Sequence, residues 1–180
     1  MLEVCDEEGK TLYLEDRKII HQKGLLHREV HVWFFTPERE IIFQHRAKYK
    51  DTYPDLLDAT VGGHVEPGDS LDQTAVKECA EETGLELGIS DLIFVKNLRV
   101  TGLDKSTGMT NNVIRAQYVY LFSRDISELK LEEGKSQGFV KIPFDKLKNL
   151  SVEEKLKFIP HYYGSDYLQM FNEAVLKLGI

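Results

Sequence analysis

The chain has 180 residues, 42% hydrophobic and 29% charged, with a formal net charge of −7. That suits an ordinary folded domain with a full core, and the acidity excludes a large footprint on a nucleic-acid polymer, which needs clustered Lys and Arg. Cys5 and Cys79 have neither metal spacing nor a disulfide framework, and no signal peptide or bilayer-length apolar run is visible, so the chain reads as cytoplasmic, with no membrane partner.

Residues 2–16 predict two short strands around the turn Asp6-Glu7-Glu8-Gly9-Lys10, followed by a short helix or irregular connection ending near Gly24. The clearest hairpin is VHVWFFTPEREIIFQHR, residues 30–46, with β-branched and aromatic residues on both sides of a Pro-containing turn. A polar loop over 47–58 leads to a short strand, ATVGGH, at 59–64. A helix follows, and then DLIFVKNLRV (91–100), NNVIRAQYVYLF (111–122) and GFVKI (138–142) read as strands. In the tail, Ser151 and Glu154 form a capping box ahead of KLKFI, and Leu168, Phe171, Val175 and Leu178 recur near helical spacing. The order predicts one α/β (α+β) domain over residues 1–180, a mixed sheet covered by helices. An N-terminal strand extension runs to about residue 25, and C-terminal helices begin near 151.

The central helix carries the chemistry. Ser70 and Gln73 make a capping box directly after Pro67-Gly68. At 100° per residue Leu71 and Ala75 define the inward stripe, with Cys79 at its margin. Glu78 and Glu82 fall within that stripe and Glu81 on its edge. A Glu-rich segment is usually a solvated face, but here two carboxylates lie on the side the helix must bury. Inward charges of one sign are costly unless paired or metal-bound. Lys77 can pair with one of them and cannot balance three. A hard divalent cation can, because it prefers carboxylate and phosphate oxygens.

The stretch resembles the Nudix box, Gly-x5-Glu-x7-Arg-Glu-hydrophobic-x-Glu-Glu-x-Gly-hydrophobic. Here it runs from Gly63 through Asp69, Lys77, Glu78, Cys79, Glu81, Glu82 and Gly84 to Leu85. Asp69 stands in place of Glu, and Lys77 in place of Arg. Lys77 keeps the charge but loses the guanidinium fork that can hold two carboxylates. The resemblance implies an α/β/α sandwich and a hydrolase that binds Mg²⁺, with Mn²⁺ as a substitute. It also implies a small phosphorylated substrate cleaved at a diphosphate linkage in a nucleoside diphosphate derivative. By the same resemblance Glu78, Glu81 and Glu82 are the metal-binding and catalytic positions, and the Gly62 carbonyl a further ligand. Gly63, Asp69, Lys77 and Gly84 support the box. Either Glu78 or a carboxylate beyond the box serves as general base, and the oligomeric state is open between monomer and homodimer.

A second likeness extends over residues 26–65, which are similar without a gap to type 1 isopentenyl-diphosphate isomerase, a Nudix relative. His27 and His64 fall at that enzyme's metal-binding histidines, and Trp33, Arg46 and Pro54 also match. Gly62 stands at its catalytic cysteine, and Arg115 and Gln117 stand at its two functional glutamates. Isomerisation needs a proton donor and acceptor flanking an alkene, and this chain lacks those residues. The hydrolase reading is therefore preferred, with an isomerase-like enzyme and a non-catalytic ligand-binding module as the alternatives. For His27 and His64, hydrogen-bonded histidines and metal ligands are both open, since no third ligand is visible. His31 and His45 read as strand residues, and His21 and His161 carry no motif. Arg46, Lys48 and Lys50 form a basic cluster, by default a solvated loop, with phosphate contact the alternative for which Arg46 is the candidate. Arg115 is either an outer-strand residue or a phosphate-holding one. Trp33 and Tyr53 read as packing, and Glu133 as a surface residue.

Overall fold

Val30, Val32 and Phe34 alternate with His31, Trp33 and Phe35, so the strand that carries them has large side chains on both faces and must be covered twice. The computed structural model describes residues 1–50, 52–132 and 134–180, and Glu133 lies outside them. In it this strand, β3 (His27–Phe35), is the hub of a mixed sheet. It pairs antiparallel with β1 (Leu2–Cys5), β4 (Glu40–Arg46) and β6 (Val61–His64). With β8 (Thr110–Leu121) it pairs in parallel from His27 opposite Val113 to Phe35 opposite Leu121. Outer strands complete the sheet: β2 (Thr11–Glu15) on β1, β5 (Leu57–Asp58) and β9 (Ser136–Pro143) on β4, and β7 (Ile93–Leu103) on β8.

Helix α2 (Leu71–Thr83) covers one face, where Ala75 and Cys79 pack on Val30, Val32, Phe34, Val61 and Ala116. Helix α5 (Ser165–Leu178) covers the other, where Met170, Phe171 and Ala174 pack on Trp33, Phe35, Val113 and Val119. Short helices α1 (Arg17–Lys23), α3 (Phe144–Leu147) and α4 (Val152–Lys155) lie outside these two. This is the α/β/α sandwich with a mixed sheet that the box implied.

Three details differ from the sequence reading. The hairpin of β3 and β4 is paired only at its turn end, Phe34 with Ile42 and Phe35 with Ile41. Beyond that point the Thr60 hydroxyl accepts the Phe34 N–H (2.9 Å) and donates to the Ile42 carbonyl, wedging the strands apart. The expected strand 59–64 is shortened to β6 at Val61–His64, which follows β3, and the end of the expected loop 47–58 pairs instead as β5 on β4. The gap so opened is the floor of the cleft. Cys79 sits at the centre of the buried face of α2 rather than at its margin.

The terminal helix is rotated from its expected face. Tyr167, Met170, Phe171, Ala174 and Val175 are buried, whereas Leu168 and Leu178 are only partly covered. The aromatic Tyr167 and the flexible Met170 fill space between Trp33 and the helix that the leucines cannot reach. Replacing Phe171 by Ala is expected to cost about 3–5 kcal/mol of stability. Leu176→Ala, at a position 80% exposed, should change stability by less than about 0.5 kcal/mol. Urea unfolding of the two variants checks which face of α5 is buried.

Candidate active site

Helix α2 begins where the sequence places it. The Gln73 N–H donates to the Ser70 hydroxyl (3.1 Å), and the Ser70 N–H donates to the Gln73 side chain (2.9 Å). It ends at Gly84, whose φ of 69° suits a residue without Cβ. Between those caps, Glu82 is 6% exposed, Glu78 is half-buried and Glu81 is exposed. One Glu82 oxygen accepts from the Gly62 N–H (3.1 Å) and from the Gln44 amide (3.3 Å), so it bridges the gap between β6 and β4. Glu78 lies against Gly63 so closely that a Cβ there would come within 2.1 Å of its carboxyl. Glycine at 63 is therefore a steric requirement of the site.

Burial, together with Glu81, pushes the Glu78 carboxyl up to about 7. Burial, together with Glu78, pushes Glu82 up to about 8. Two inward oxygen donors one helical turn apart, neither paired with a cationic side chain among the described residues, fit a divalent ion of the Mg²⁺ or Mn²⁺ kind. Lys77, expected to pair with a box glutamate, instead donates to Glu66 (2.6 Å) on the loop before the helix. The Asp69 carboxyl has no hydrogen bond among the described residues.

The opposite face of the sheet carries a second group. Arg115 is 4% exposed and donates through Nε (3.0 Å) and Nη2 (2.6 Å) to one oxygen of Glu29, which is 6% exposed. Its Nη1 donates to the Tyr167 hydroxyl (2.9 Å). Arg115 is thus neither on an outer surface nor an unoccupied fork. The other Glu29 oxygen faces His64 Nε2 at 3.1 Å, and His64 Nε2 lies 3.1 Å from His21 Nε2. His27 Nδ1 donates to the Leu25 carbonyl (2.9 Å), leaving a lone pair on a buried Nε2 that has no partner among the described residues. The ligand atoms of His21, His27 and His64 lie within 4.8 Å of one another. Their imidazole nitrogens suit a softer divalent ion than Mg²⁺.

Glu82 from the first group and Glu29, His64 and Arg115 from the second line one cleft of about 260 Å³, whose walls also include Arg17, Arg46, Lys50 and Gly62. Arg46 is held by Asp58 (2.5 Å) and by the Thr52 carbonyl (2.8 and 3.2 Å), and Asp58 also accepts the Tyr162 hydroxyl. Lys48 is exposed, but Lys50 is half-buried on the cleft wall.

The NUDIX domain family matches residues 25–162. The chain belongs to this family. It is 31% identical over 152 residues to an uncharacterized Nudix hydrolase of Clostridium acetobutylicum, covering 81% of this chain and 71% of that protein. It is 32% identical over 108 residues to an isopentenyl-diphosphate Delta-isomerase of Nocardia farcinica, covering 59% of this chain and 60% of that one. The chain spans less than half the length of three further curated relatives. Among solved structures, the MutT protein of Methanosarcina mazei shares its fold, with a TM-score of 0.64 at 16% identity over 83% of this chain and 94% of that one. Nudix hydrolases generally use divalent metal ions.

Sequence reading of this Nudix chain missed Glu29, His21 and His161. Glu29 was an unremarkable strand residue, His21 lies on another element, and His161 reaches the cleft only because α5 and the turn before it fold over β3. Since α1 is short and ends at Gly24, the spacing of His21 to His27 was the available signal.

The site yields two predictions. Glu78 and Glu82 titrate higher in the folded than in the unfolded chain, where they stay near 4.5. The native state then binds the more protons, and metal-free stability falls as pH rises from about 5 to about 9. Thermal melts across that range should show the fall, and Glu82→Gln or added Mg²⁺ should flatten it. Arg115→Ala strands a buried Glu29 and is expected to cost about 3–5 kcal/mol. Denaturant titration measures it, and Glu29→Gln in the same chain should recover part of the loss.

Proposed function

We propose that the chain is a Mg²⁺-dependent pyrophosphohydrolase that cleaves a diphosphate linkage in a nucleoside diphosphate derivative or a similar small phosphorylated compound. The observation that carries this reading is the pair of inward carboxyls, Glu78 and Glu82, raised in pKa behind a Gly62-Gly63 strand that brings backbone into direct contact with them. A divalent ion held there by Glu78 and Glu82 would neutralise diphosphate charge and would lower the pKa of a water enough for attack near neutral pH. The chain's own contribution is placement. Gly62 N–H and Gln44 hold the Glu82 carboxyl, Gly63 admits Glu78, and the Glu66–Lys77 pair fixes the loop that enters α2. Glu81, exposed one turn away, completes the acidic set. Lys50 and Arg46 give the cleft a positive wall on which a phosphate group can rest.

The isomerase-like alternative draws support from the histidine cluster, but Gly62 supplies no thiol, and Arg115 and Gln117 supply no acid. Gln117 is fully buried and accepts the Trp33 indole N–H (2.7 Å), a packing role. The test is release of phosphate or nucleoside monophosphate, with and without Mg²⁺, from a nucleotide sugar, a dinucleotide, coenzyme A and an oxidised nucleoside triphosphate. Glu82→Gln should keep the fold and lower the rate on whichever compound is cleaved by at least ~100-fold. Full activity in that variant refutes the metal assignment. Dimethylallyl diphosphate formed from isopentenyl diphosphate by the purified protein refutes the choice of hydrolase over isomerase.

A further inference from the structure

His31 is directly opposite Gly62 in the β3–β6 pairing, and its ring lies over the glycine. A Cβ at position 62 would come within 3.0 Å of His31 Cδ2 and 3.1 Å of Nε2. The edge of the imidazole therefore fills the part of the cleft that a side chain on residue 62 would need. Trp33 and Tyr162 hold the ring edge-on, with centroids at 5.8 and 6.1 Å. The residue is 5% exposed and lines the cleft. Neither ring nitrogen makes a hydrogen bond among the described residues, and Nδ1 is sealed without a partner.

A buried polar ring with no protein partner is rare, and its tautomer follows from the cost of each choice. A proton on Nδ1 would leave a buried N–H unsatisfied, which proteins avoid more strictly than an unsatisfied acceptor. A proton on Nε2 instead points a donor at the cleft, beside Gly62. With Nδ1 sealed, a second proton on the ring would have no acceptor. Three neighbouring donors are already engaged. Gly62 N–H is used by Glu82, Arg46 by Asp58 and Thr52, and Arg115 by Glu29 and Tyr167.

We propose that His31 is a catalytic residue of this cleft, whose Nε2–H donates a hydrogen bond to a non-bridging oxygen of the diphosphate bound beside Gly62 and Glu82. The assignment rests on the pyrophosphohydrolase reading. A donor held by packing before substrate arrives needs no reorganisation as charge builds on that oxygen, which is how preorganised donors lower a barrier. A neutral donor also adds no cation to a wall that already has Arg46 and Lys50. Gly62 then has a second reason to lack a side chain, since any Cβ would displace the ring that makes the contact.

The experiment uses the uniformly ¹⁵N-labelled full chain and Mg²⁺ with methylenediphosphonate as a non-hydrolysable probe. In the free protein, the His31 resonances should show the Nε2–H tautomer. Saturating probe should shift His31 Nε2, leave Nδ1 in place, and move the Gly62 and Gly63 amides. Shifts at the two glycines with an unmoved His31, or an Nδ1–H tautomer, overturn the proposal while leaving the hydrolase reading intact. No shift at the glycines overturns the reading and the proposal together. On the substrate found by the release assay, His31→Phe should lower kcat about 100-fold with little change in KM. His31→Gln, which can place an amide N–H near the same point, should recover most of that loss. Equal rates in the Phe variant and the wild type, or equal losses in both variants with unchanged unfolding midpoints, refute the contact.

Discussion

Glu78 and Glu82 stand one helical turn apart on the inward side of α2, and the cleft is arranged around the repulsion between them. Two carboxyls of like charge in a half-dry site are unfavourable alone. Each neighbouring element reduces the cost in a different way. The Thr60 wedge parts β3 from β4 so that Glu82 can reach the Gly62 N–H and Gln44 through the gap. Gly63 removes the atoms that would press on Glu78. The Ser70–Gln73 box and the Gly84 cap set the start and end of the helix, and therefore its rotation. What remains is a deficit of positive charge that suits a divalent ion and a phosphorylated ligand together.

The two faces of the sheet divide the work, and β6 is where they meet. Alternation along this strand turns Val61 and Gly63 toward α2 and turns Gly62 and His64 toward β3's histidines. Acidic oxygen donors thus lie on one side and imidazole nitrogens on the other, a few residues apart along one strand. Without side chains at 62 and 63, groups from both faces approach the same backbone. The likeness to an isopentenyl-diphosphate isomerase over 59% of the chain and the intact glutamate box are compatible for this reason.

How much of this was legible in sequence follows from how local each feature is. The rotation of α2, its caps and the inward glutamates depend on neighbours three and four residues apart, so spacing showed them. The mixed sheet followed from the order of strands and turns. The faces of α5 did not, because Leu168 and Leu178 repeat at helical spacing as well as the residues that pack. Only the shape of the surface around Trp33 selects Tyr167 and Met170. Lys77 was visible as a cation without its anion, because Glu66 reaches it across a loop. Glu29 and His21 were hidden for the same reason, being partners across elements.

Arg115 shows what that blind spot conceals. Read alone in a strand, it offered either a surface charge or an open phosphate fork. The parallel register of β3 and β8 places it directly opposite Glu29, and each neutralises the other in a site neither could occupy alone. The cation thus stands on β8 and its carboxylate, Glu29, across the ladder on β3. One Glu29 oxygen is committed to Arg115, and the other is turned toward His64. Arg115 therefore governs how the histidine cluster is oriented through Glu29. Its influence on ligands in the cleft runs through that carboxylate before any direct contact.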